Sequence, residues 1–439
     1  MRTFAIRFVL WVLTLVALGA SFAGIQQTAA SNRAARPELL REGAAAGVPP
    51  SRVALYASVG EQLTQYGVDI ASATLVPQSS VMLPAYVQEG WLHPSGRYLY
   101  VAWSNRGTAE AKSSGEKSGV TAFAVDSTGA LHQHGADVAL ISRPIFITGD
   151  TTGTHIVVGY NIPSGIAVYS IAPDGTLSTE MKPEGALDTG VYGHQVRVMP
   201  SNKGVIFVTR GNKPANGKPE DPGALKIMGY HDGVLSMRAS VAPGGGFGFQ
   251  PRHLDFHPSK PWVFLSLEAQ NKLEVYQLLN GDSLGPNPLF VKDTVADPAN
   301  IHSTQAASTV HVHPNGRFVY VGNRAEDTED FQGTPVSSGG ENTIAVFRID
   351  PATGEPTLIQ NAPTQGFHPR TFSIDPSGRL LVVGNQDSLH VRDGNSVRTV
   401  LPGLTVFRVQ DDGKLAFVSK SDVDTKGKLL YWVMFVKLR

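Results

Sequence analysis

Residues 313–321 read HPNGRFVYV, and close copies of this pattern occur as HPSGRYLYV at residues 93–101 and as DPSGRLLVV at residues 375–383. Weaker copies of its turn lie at residues 150–153, 199–202 and 257–260. Neighbouring copies are roughly 50–60 residues apart, and a period of this length indicates one supersecondary unit repeated along the chain.

Each copy joins two segments that have the composition of β-strands. An apolar segment such as residues 371–374 leads into the turn, where proline presets φ and glycine accepts a positive φ. A β-branched and aromatic run follows, and an alternating run such as residues 404–409 comes after a further loop. Four strands in this order are typical of one β-propeller blade. The histidines that open the turns, His93, His257 and His313, are interpreted as structural.

The number of turns predicts the number of blades. Six internal turns predict six innermost strands, and the apolar run at residues 429–436 supplies a seventh. The strands expected at residues 52–59 and 66–75 have no innermost strand of their own, so we place them in one blade with the C-terminal run. We therefore predict an all-β, seven-bladed β-propeller of four-stranded antiparallel blades over residues 51–439. Pairing of the N- and C-terminal strands closes the ring and removes exposed edges.

Composition excludes several classes of protein. Lysine plus arginine and aspartate plus glutamate are balanced at 37 each, so nothing indicates a nucleic-acid partner. The absence of cysteine from the sequence excludes disulfides, thiolate nucleophiles and thiolate metal sites. We expect a monomer that uses neither a metal ion nor another cofactor.

The N-terminus has the pattern of an export signal. Arg2 and Arg7 precede the apolar residues 8–18, and small residues follow at positions 21–23 and 28–30. This order predicts a signal peptide over residues 1–30, and hence a periplasmic or secreted protein without stable membrane insertion after cleavage. An uncleaved anchor is the alternative, although the apolar run is short for a membrane span. Residues 31–50, rich in Ala, Arg, Glu and Pro, are predicted to be a linker.

Polar residues are concentrated where the predicted first strands begin and the second strands end. These two places share one rim of a propeller, because the second strand of a blade returns antiparallel to the first. The residues at predicted first-strand starts are His194, Arg252, His253, His311, His368 and Arg370. Those at predicted second-strand ends are Asn105, Arg106, Asn161, Arg210, Glu268, Arg324, Asn385 and Gln386. Taken singly, such residues are usually solvated or capping groups, whereas a buried group of cations with one carboxylate suits an anion or a developing oxyanion.

These residues resemble motifs of the seven-bladed propeller lactonase family, which includes bacterial-type 6-phosphogluconolactonases and fungal carboxy-muconate lactonising enzymes. The resemblance covers about residues 52–439. The matching segments are PRHLDFHP at 251–258, Glu268, HVHPNG at 311–316, Asn323-Arg324, PRTF at 369–372 and GNQ at 384–386. The resemblance places the family's histidine, two arginines and glutamate at His194, Arg252, Arg324 and Glu268. We expect a second group of residues to bind substrate: His253, His311, Arg370 and Gln386.

The resemblance implies a lactonase that hydrolyses the internal ester of a sugar-acid or related lactone. The cationic rim predicts that this substrate is anionic. His194 or Glu268 would act as general base, while Arg252 and Arg324 would hold an anionic group and stabilise the oxyanion. Two alternatives remain open. One is a non-catalytic binding propeller of the cell envelope, and the other is a lactone-forming enzyme of the muconate cycloisomerase type.

Overall fold

The computed structural model describes residues 52–106 and 115–439, so the predicted signal peptide and linker lie outside the described residues. The described residues contain 34 β-strands, one 3-10 turn at Pro243–Gly246 and no α-helix. Among them, no helix is long and apolar enough to cross a membrane. The strands form seven sheets of four or five strands and two separate hairpins, which confirms the predicted seven-bladed propeller.

The blades follow one another along the chain, and each is an antiparallel meander. Blade 1 consists of β34 (Leu430–Lys437), β1 (Val53–Val59), β2 (Gln62–Asp69) and β3 (Thr74–Met82). Blade 2 consists of β4 (Tyr86–Leu92), β5 (Tyr98–Ser104), β6 (Ser118–Val125), and the short β7 (Leu131–Gln133) and β8 (Val138–Ala139). Blade 3 consists of β9 (Pro144–Gly149), β10 (His155–Asn161), β11 (Ser164–Ile171) and β12 (Leu177–Met181). Blade 4 consists of β13 (Gly193–Val198), β14 (Gly204–Thr209), β15 (Ala224–His231) and β16 (Val234–Val241).

The last three blades keep the same order. Blade 5 consists of β17 (Pro251–Phe256), β18 (Trp262–Leu267), β19 (Lys272–Leu279), and the short β20 (Ser283–Leu284) and β21 (Phe290–Asp293). Blade 6 consists of β22 (Ala306–Val312), β23 (Phe318–Arg324), β26 (Thr343–Ile349) and β27 (Pro356–Pro363). Blade 7 consists of β28 (Phe367–Ile374), β29 (Leu380–Asp387), β32 (Gly403–Val409) and β33 (Leu415–Asp422). The first strands, β34, β4, β9, β13, β17, β22 and β28, contact one another in a complete ring around the central channel.

The ring closes through the two ends of the described chain, as predicted. β34 pairs antiparallel with β1, from Val53 opposite Lys437 to Val59 opposite Leu430. The C-terminal run therefore supplies the first strand of blade 1, so that each of the seven blades has a first strand.

The repeated turns link each blade to the next one. Nε2 of His257 is 2.9 Å from the carbonyl oxygen of Gly316, and Nε2 of His313 is 2.8 Å from that of Gly378. Gly316 has φ +71°, and a Cβ at this position would lie 2.6 Å from the His257 ring. Glycine is thus required here both for its backbone conformation and for the close approach of the histidine. The same contact joins His93 to Gly153, so the structural interpretation of these histidines is confirmed.

Apolar side chains fill the space between the blades. The described residues contain seven buried apolar clusters, and each lies between two adjacent blades. Phe318, Phe372 and Phe407, for example, are buried together between blades 6 and 7. Burying one such side chain contributes about 1.5–3 kcal/mol, so these clusters form a rigid scaffold on which the rim residues are held.

Two of the connections that follow second strands, after β23 and after β29, contain hairpins. β24 (Thr328–Phe331) pairs with β25 (Thr334–Ser337), and β30 (Leu389–Asp393) pairs with β31 (Ser396–Val400). The two hairpins contact each other, and the guanidinium of Arg392 lies over the Phe331 ring at 4.6 Å.

Candidate functional site

A β-bulge repeated in the first strands brings the candidate site residues together. In β17 the register with β18 shifts between Pro251 and His253, so that Arg252 is the extra residue. Equivalent shifts make His194 the extra residue of β13 and Arg370 that of β28. The extra residues of the other first strands are Gln88, Ile145, Tyr431 and one of the pair Ser308-Thr309. A bulge redirects a side chain out of the regular alternation, and here it does so at one level of the ring.

Glu268, directly after β18, is the carboxylate around which three arginines gather. Its Oε1 atom is 3.2 Å from Nη1 of Arg210 and 3.2 Å from Nη2 of Arg324, and its Oε2 atom is 3.1 Å from Nε of Arg252. Nε2 of His194 lies 3.9 Å from the same Oε2. The side chain of Glu268 is 14% exposed and that of Arg252 only 1%. We call these five residues the Glu268 cluster; they come from blades 4, 5 and 6.

The arginines determine the charge state of Glu268. Burial alone would raise the pKa of this carboxyl, but the positive charges of Arg324, Arg210 and Arg252 outweigh burial and lower the pKa to about 2. Glu268 is therefore ionised at neutral pH. One carboxylate faces three guanidinium groups, so the cluster carries excess positive charge before any ligand binds.

His194 is neutral under the same influence. Burial lowers the pKa of His194 well below its ordinary value, and the charges of Arg252 and Arg210 lower it further. Its Nδ1 atom is buried and accepts or donates no hydrogen bond among the described residues. The ring packs edge-on against His253, with 5.0 Å between centroids, and burial lowers the pKa of His253 as well. A neutral imidazole beside a carboxylate is a group that can accept a proton.

Arg370 and Arg143 form a second arginine group in the same ring, around the bulge residues Tyr431 and Gln88. Nη2 of Arg370 donates to the hydroxyl of Tyr431 at 2.5 Å, and the Arg370 guanidinium lies 4.2 Å from the centre of that ring. Nη2 of Arg143 donates to the same hydroxyl at 3.0 Å, and its Nε donates to Oε1 of Gln88 at 2.8 Å. The positive charge of Arg370 also lowers the pKa of Glu268, after that of the three cluster arginines.

His368 binds one terminal nitrogen of Arg324, while Glu268 lies next to the other. Nη1 of Arg324 donates to Nε2 of His368 at 2.8 Å, and Nδ1 of His368 is 3.1 Å from Oε2 of Glu326. Since Nε2 accepts, the proton of the neutral ring is on Nδ1 and is donated to Glu326. Burial lowers the pKa of His368, and the charge of Arg324 lowers it further.

A cavity of about 220 Å³ opens beside the cluster. Glu268, Arg324 and His368 line it, together with Lys213 from the 211–223 connection. Lys213 therefore adds a further cation beside the arginines of the Glu268 cluster. Among the residues that the structure describes, no three His, Asp or Glu side chains are arranged to hold a metal ion.

The structure brings six of the predicted site residues together. His194, Arg252, Glu268 and Arg324 lie together, and Arg370 and His253 are adjacent to them. Gln386 lies buried at the same rim, with an Oε1 atom that has no hydrogen-bond partner among the described residues.

The predicted position of His311 is wrong. β22 begins at Ala306, so His311 is its penultimate residue rather than its first. Its Nδ1 atom is 3.7 Å from Oδ2 of Asp255, which also lies towards the end of its own strand, β17. His311 therefore lines the channel further from the rim that carries Glu268, and a role in substrate binding stays a prediction.

Comparison with known proteins identifies the family. The family described as "Lactonase, 7-bladed beta-propeller" matches residues 53–393. The chain belongs to this lactonase family. It is 28% identical over 320 residues to the 6-phosphogluconolactonase of Bacillus subtilis (strain 168), covering 70% of this chain and 84% of that protein. It is 25% identical over 374 residues to the 6-phosphogluconolactonase of Yersinia pestis (strain Pestoides F), covering 85% and 94%.

Solved structures agree with the lactonase fold. The chain superposes on the periplasmic gluconolactonase of Pseudomonas aeruginosa with a TM-score of 0.65 and 20% identity, covering 89% of this chain and all of that one. A putative 6-phosphogluconolactonase from Bacteroides uniformis gives a TM-score of 0.64, also at 20% identity. At this identity the two structures show the fold alone.

Several residues of this lactonase-family site were missed from the sequence. Gln88 and Tyr431 bind arginines of the second group, Arg143 is one of those arginines, and Glu326 binds His368; none of the four is predicted as a site residue. Gln88 has a recognisable signal, because it lies five residues before the first turn residue, as do His194 and Arg252. Residues 281–285 read GDSLG, the spacing of a nucleophile-elbow serine, but Ser283 lies in the short outer strand β20.

Proposed function

We propose that this protein is a lactonase that hydrolyses a sugar-acid lactone, and that the Glu268 cluster is its active site. The observation that carries the proposal is one buried carboxylate facing three guanidinium groups, with a neutral imidazole 3.9 Å away. Membership of the lactonase family and the names of the relatives support the reaction class.

The excess of arginine favours an anionic substrate. Nη1 of Arg252 and Nε of Arg324 are buried and have no hydrogen-bond partners among the described residues. Charged donors of this kind stabilise a carboxylate, a phosphate or the oxyanion of a tetrahedral intermediate. Lys213 beside the cavity adds a cation that a substituent of the lactone ring would reach.

A negatively charged substrate would also raise the pKa of the general base. The pKa values of Glu268 and His194 are both held low by the arginines, which makes each group a weak base in the free protein. An anionic group bound to those arginines offsets their charge, so both pKa values rise towards neutrality. Water then attacks the carbonyl carbon and gives its proton to His194 or Glu268. The ring C–O bond breaks, the leaving oxygen takes up a proton, and the product is the hydroxy acid.

Export is part of the proposal. The signal peptide predicted at residues 1–30 would direct the enzyme to the periplasm or to the outside of the cell. N-terminal sequencing of the protein recovered from the periplasm or the medium tests this, since a start near residue 31 is expected. Recovery of the full-length chain from the cytoplasm would contradict export.

The activity is tested by following acid release from glucono-δ-lactone and from its phosphorylated analogue, above the spontaneous rate. We expect turnover of at least one of them, and a loss of roughly 100-fold or more in kcat/KM for His194→Asn. His231→Asn is the matched control, because His231 is 92% exposed on the surface. Binding of either lactone without turnover would favour the envelope-binding alternative. Lactone formation from a muconate without lactone hydrolysis would favour the cycloisomerase alternative.

A further inference from the structure

A second cavity, of about 290 Å³, lies within the central channel. It is lined by residues of the first strands of all seven blades, on the part of each strand that follows the bulge. Arg252, Glu268 and Arg324 do not line it. We call this cavity the channel compartment; the lactonase reaction proposed above does not use it.

The walls of the channel compartment combine aromatic rings with unused polar groups. Trp91, Phe146, Phe372 and Trp432 supply the rings. Oε1 of Glu89 accepts hydrogen bonds from Nε1 of Trp432 and from the amide of Gly90. The second carboxyl oxygen of Glu89 receives no hydrogen bond from the described residues.

A further amide group is available in the same wall. Oε1 of Gln195 accepts from the amide of Leu254 at 2.6 Å. Its side-chain nitrogen donates to none of the described residues. His311 is 36% exposed and packs edge-on against Phe372, with 5.0 Å between centroids. Aromatic walls with a few oriented polar groups are typical of a small-molecule site.

The compartment differs from the Glu268 cluster in charge. Its one arginine, Arg197, is paired with Asp255 at 2.9 Å. Burial raises the pKa of Glu89 to about 8, against the lowering effect of the Trp432 hydrogen bond. Glu89 is thus largely protonated at neutral pH, and it offers a neutral O–H donor rather than a negative charge. No excess of positive charge is available here for an anion.

We infer that the channel compartment binds an uncharged, polyhydroxylated ring, such as a neutral hexose, as a ligand distinct from the lactone at the Glu268 cluster. The apolar C–H faces of such a ring pack against aromatic side chains, and its hydroxyls match Glu89, Gln195 and His311. The volume equals that of about ten water molecules at ~30 Å³ each, which is sufficient for one monosaccharide.

The two sites are adjacent. His253 lines the channel compartment, and its ring contacts His194 of the Glu268 cluster. A sugar in the compartment would therefore lie on the other side of this histidine pair from the lactone. The inference needs no lactonase activity, because occupancy of the compartment is a binding event.

Calorimetric titration of the full chain with methyl β-glucopyranoside, a neutral sugar that cannot form a lactone, tests the inference. We expect saturable binding that is weakened at least 10-fold in Glu89→Leu and in His311→Leu. Glu89→Gln, which keeps a hydrogen-bond donor and the acceptor for Trp432, should restore most of the affinity. Glu274→Leu is the matched control, because this carboxyl group is buried and also accepts a hydrogen bond, from Tyr276, but lies in β19, away from the channel.

The variants distinguish loss of sugar binding from loss of folding. Thermal unfolding identifies any variant that fails to fold, and His311→Leu, whose side chain is partly exposed, then carries the test without Glu89→Leu. Binding should persist in His194→Asn, which alters only the Glu268 cluster. Absence of binding in the wild type, equal weakening by Glu274→Leu, or strict competition between the sugar and glucose 6-phosphate would each overturn the inference.

Discussion

Nε of Arg252 lies 3.1 Å from Oε2 of Glu268, at the start of the pairing between β17 and β18. The contact forms because Arg252 is the extra residue of a bulge, and Glu268 follows the last residue of β18. A local irregularity of the backbone thus creates the central ion pair of the site.

Replacement of Arg252 by lysine separates a catalytic role from a structural one. The ammonium keeps the charge but loses the planar fork of donors, so we expect kcat/KM to fall roughly 100-fold, the scale for loss of an oxyanion donor. The measurement is lactone hydrolysis with thermal unfolding in parallel. Arg317→Lys, on an exposed turn, is the control and should change neither. A lower melting temperature with near-normal turnover would assign the pair to structure alone.

Replacement of Glu268 by glutamine should affect stability as well as activity. It leaves three guanidinium groups without their carboxylate, and breaking a buried pair costs about 3–5 kcal/mol in the free energy of unfolding. The pKa of Glu268 in the folded protein, about 2, lies below the ordinary pKa of a glutamate. The ionised carboxylate therefore stabilises the protein at pH values above that ordinary pKa, and the stabilisation is lost as the pH falls towards 2. Urea unfolding at neutral pH and near pH 3 measures this. We expect the difference between wild type and variant to shrink in acid; a constant difference would contradict the ion-pair account.

Replacement of Tyr431 by phenylalanine removes the acceptor shared by Arg370 and Arg143. Loss of a hydrogen bond to a charged group costs about 1.5–3 kcal/mol, so the variant should be less stable. Because both arginines then lose a hydrogen bond that orients them, we also expect weaker substrate binding, seen as a raised KM. Tyr320→Phe, whose hydroxyl instead binds the carbonyl of Gly413 between blades, should lower stability without raising KM.

Shortening the hairpin of β24 and β25 tests whether it contributes to specificity. Asp327, just before it, accepts hydrogen bonds from Ser303 and Thr304, which line the cavity beside Glu268. Replacing residues 328–337 with a short Gly-Ser turn should change KM or the range of lactones accepted, while the melting temperature falls by only a few degrees. A collapse in stability with unchanged kinetics would show that the hairpin is structural.

Deleting residues 429–439 should abolish folding rather than loosen one end. The deletion removes β34, leaves one edge of β1 unpaired and exposes the apolar clusters on both sides of blade 1. Circular dichroism and a denaturant titration measure this. A soluble truncated chain with a cooperative transition would disprove the role assigned to ring closure.

The turn pattern was sufficient to predict the blades, because it marks where each first strand ends and each second strand begins. The alternation of strand residues cannot reveal a bulge, so the shared origin of Arg252, His194 and Arg370 was not predicted. Counting five residues back from the turn would have found it. His311 lies only two residues before its turn, and this short distance indicates the end of a first strand rather than its start.

The pairing of β1 with β34 also determines when the molecule can be completed. Val53 and its partner Lys437 are 437 − 53 = 384 residues apart, and synthesis proceeds at ~5–20 residues per second. At that rate ~20–80 s pass between the emergence of one strand and that of the other. Throughout this interval blade 1 lacks its first strand, so the ring stays open until β34 has been made. For a chain predicted to be exported, late closure keeps the polypeptide competent for threading through a translocon.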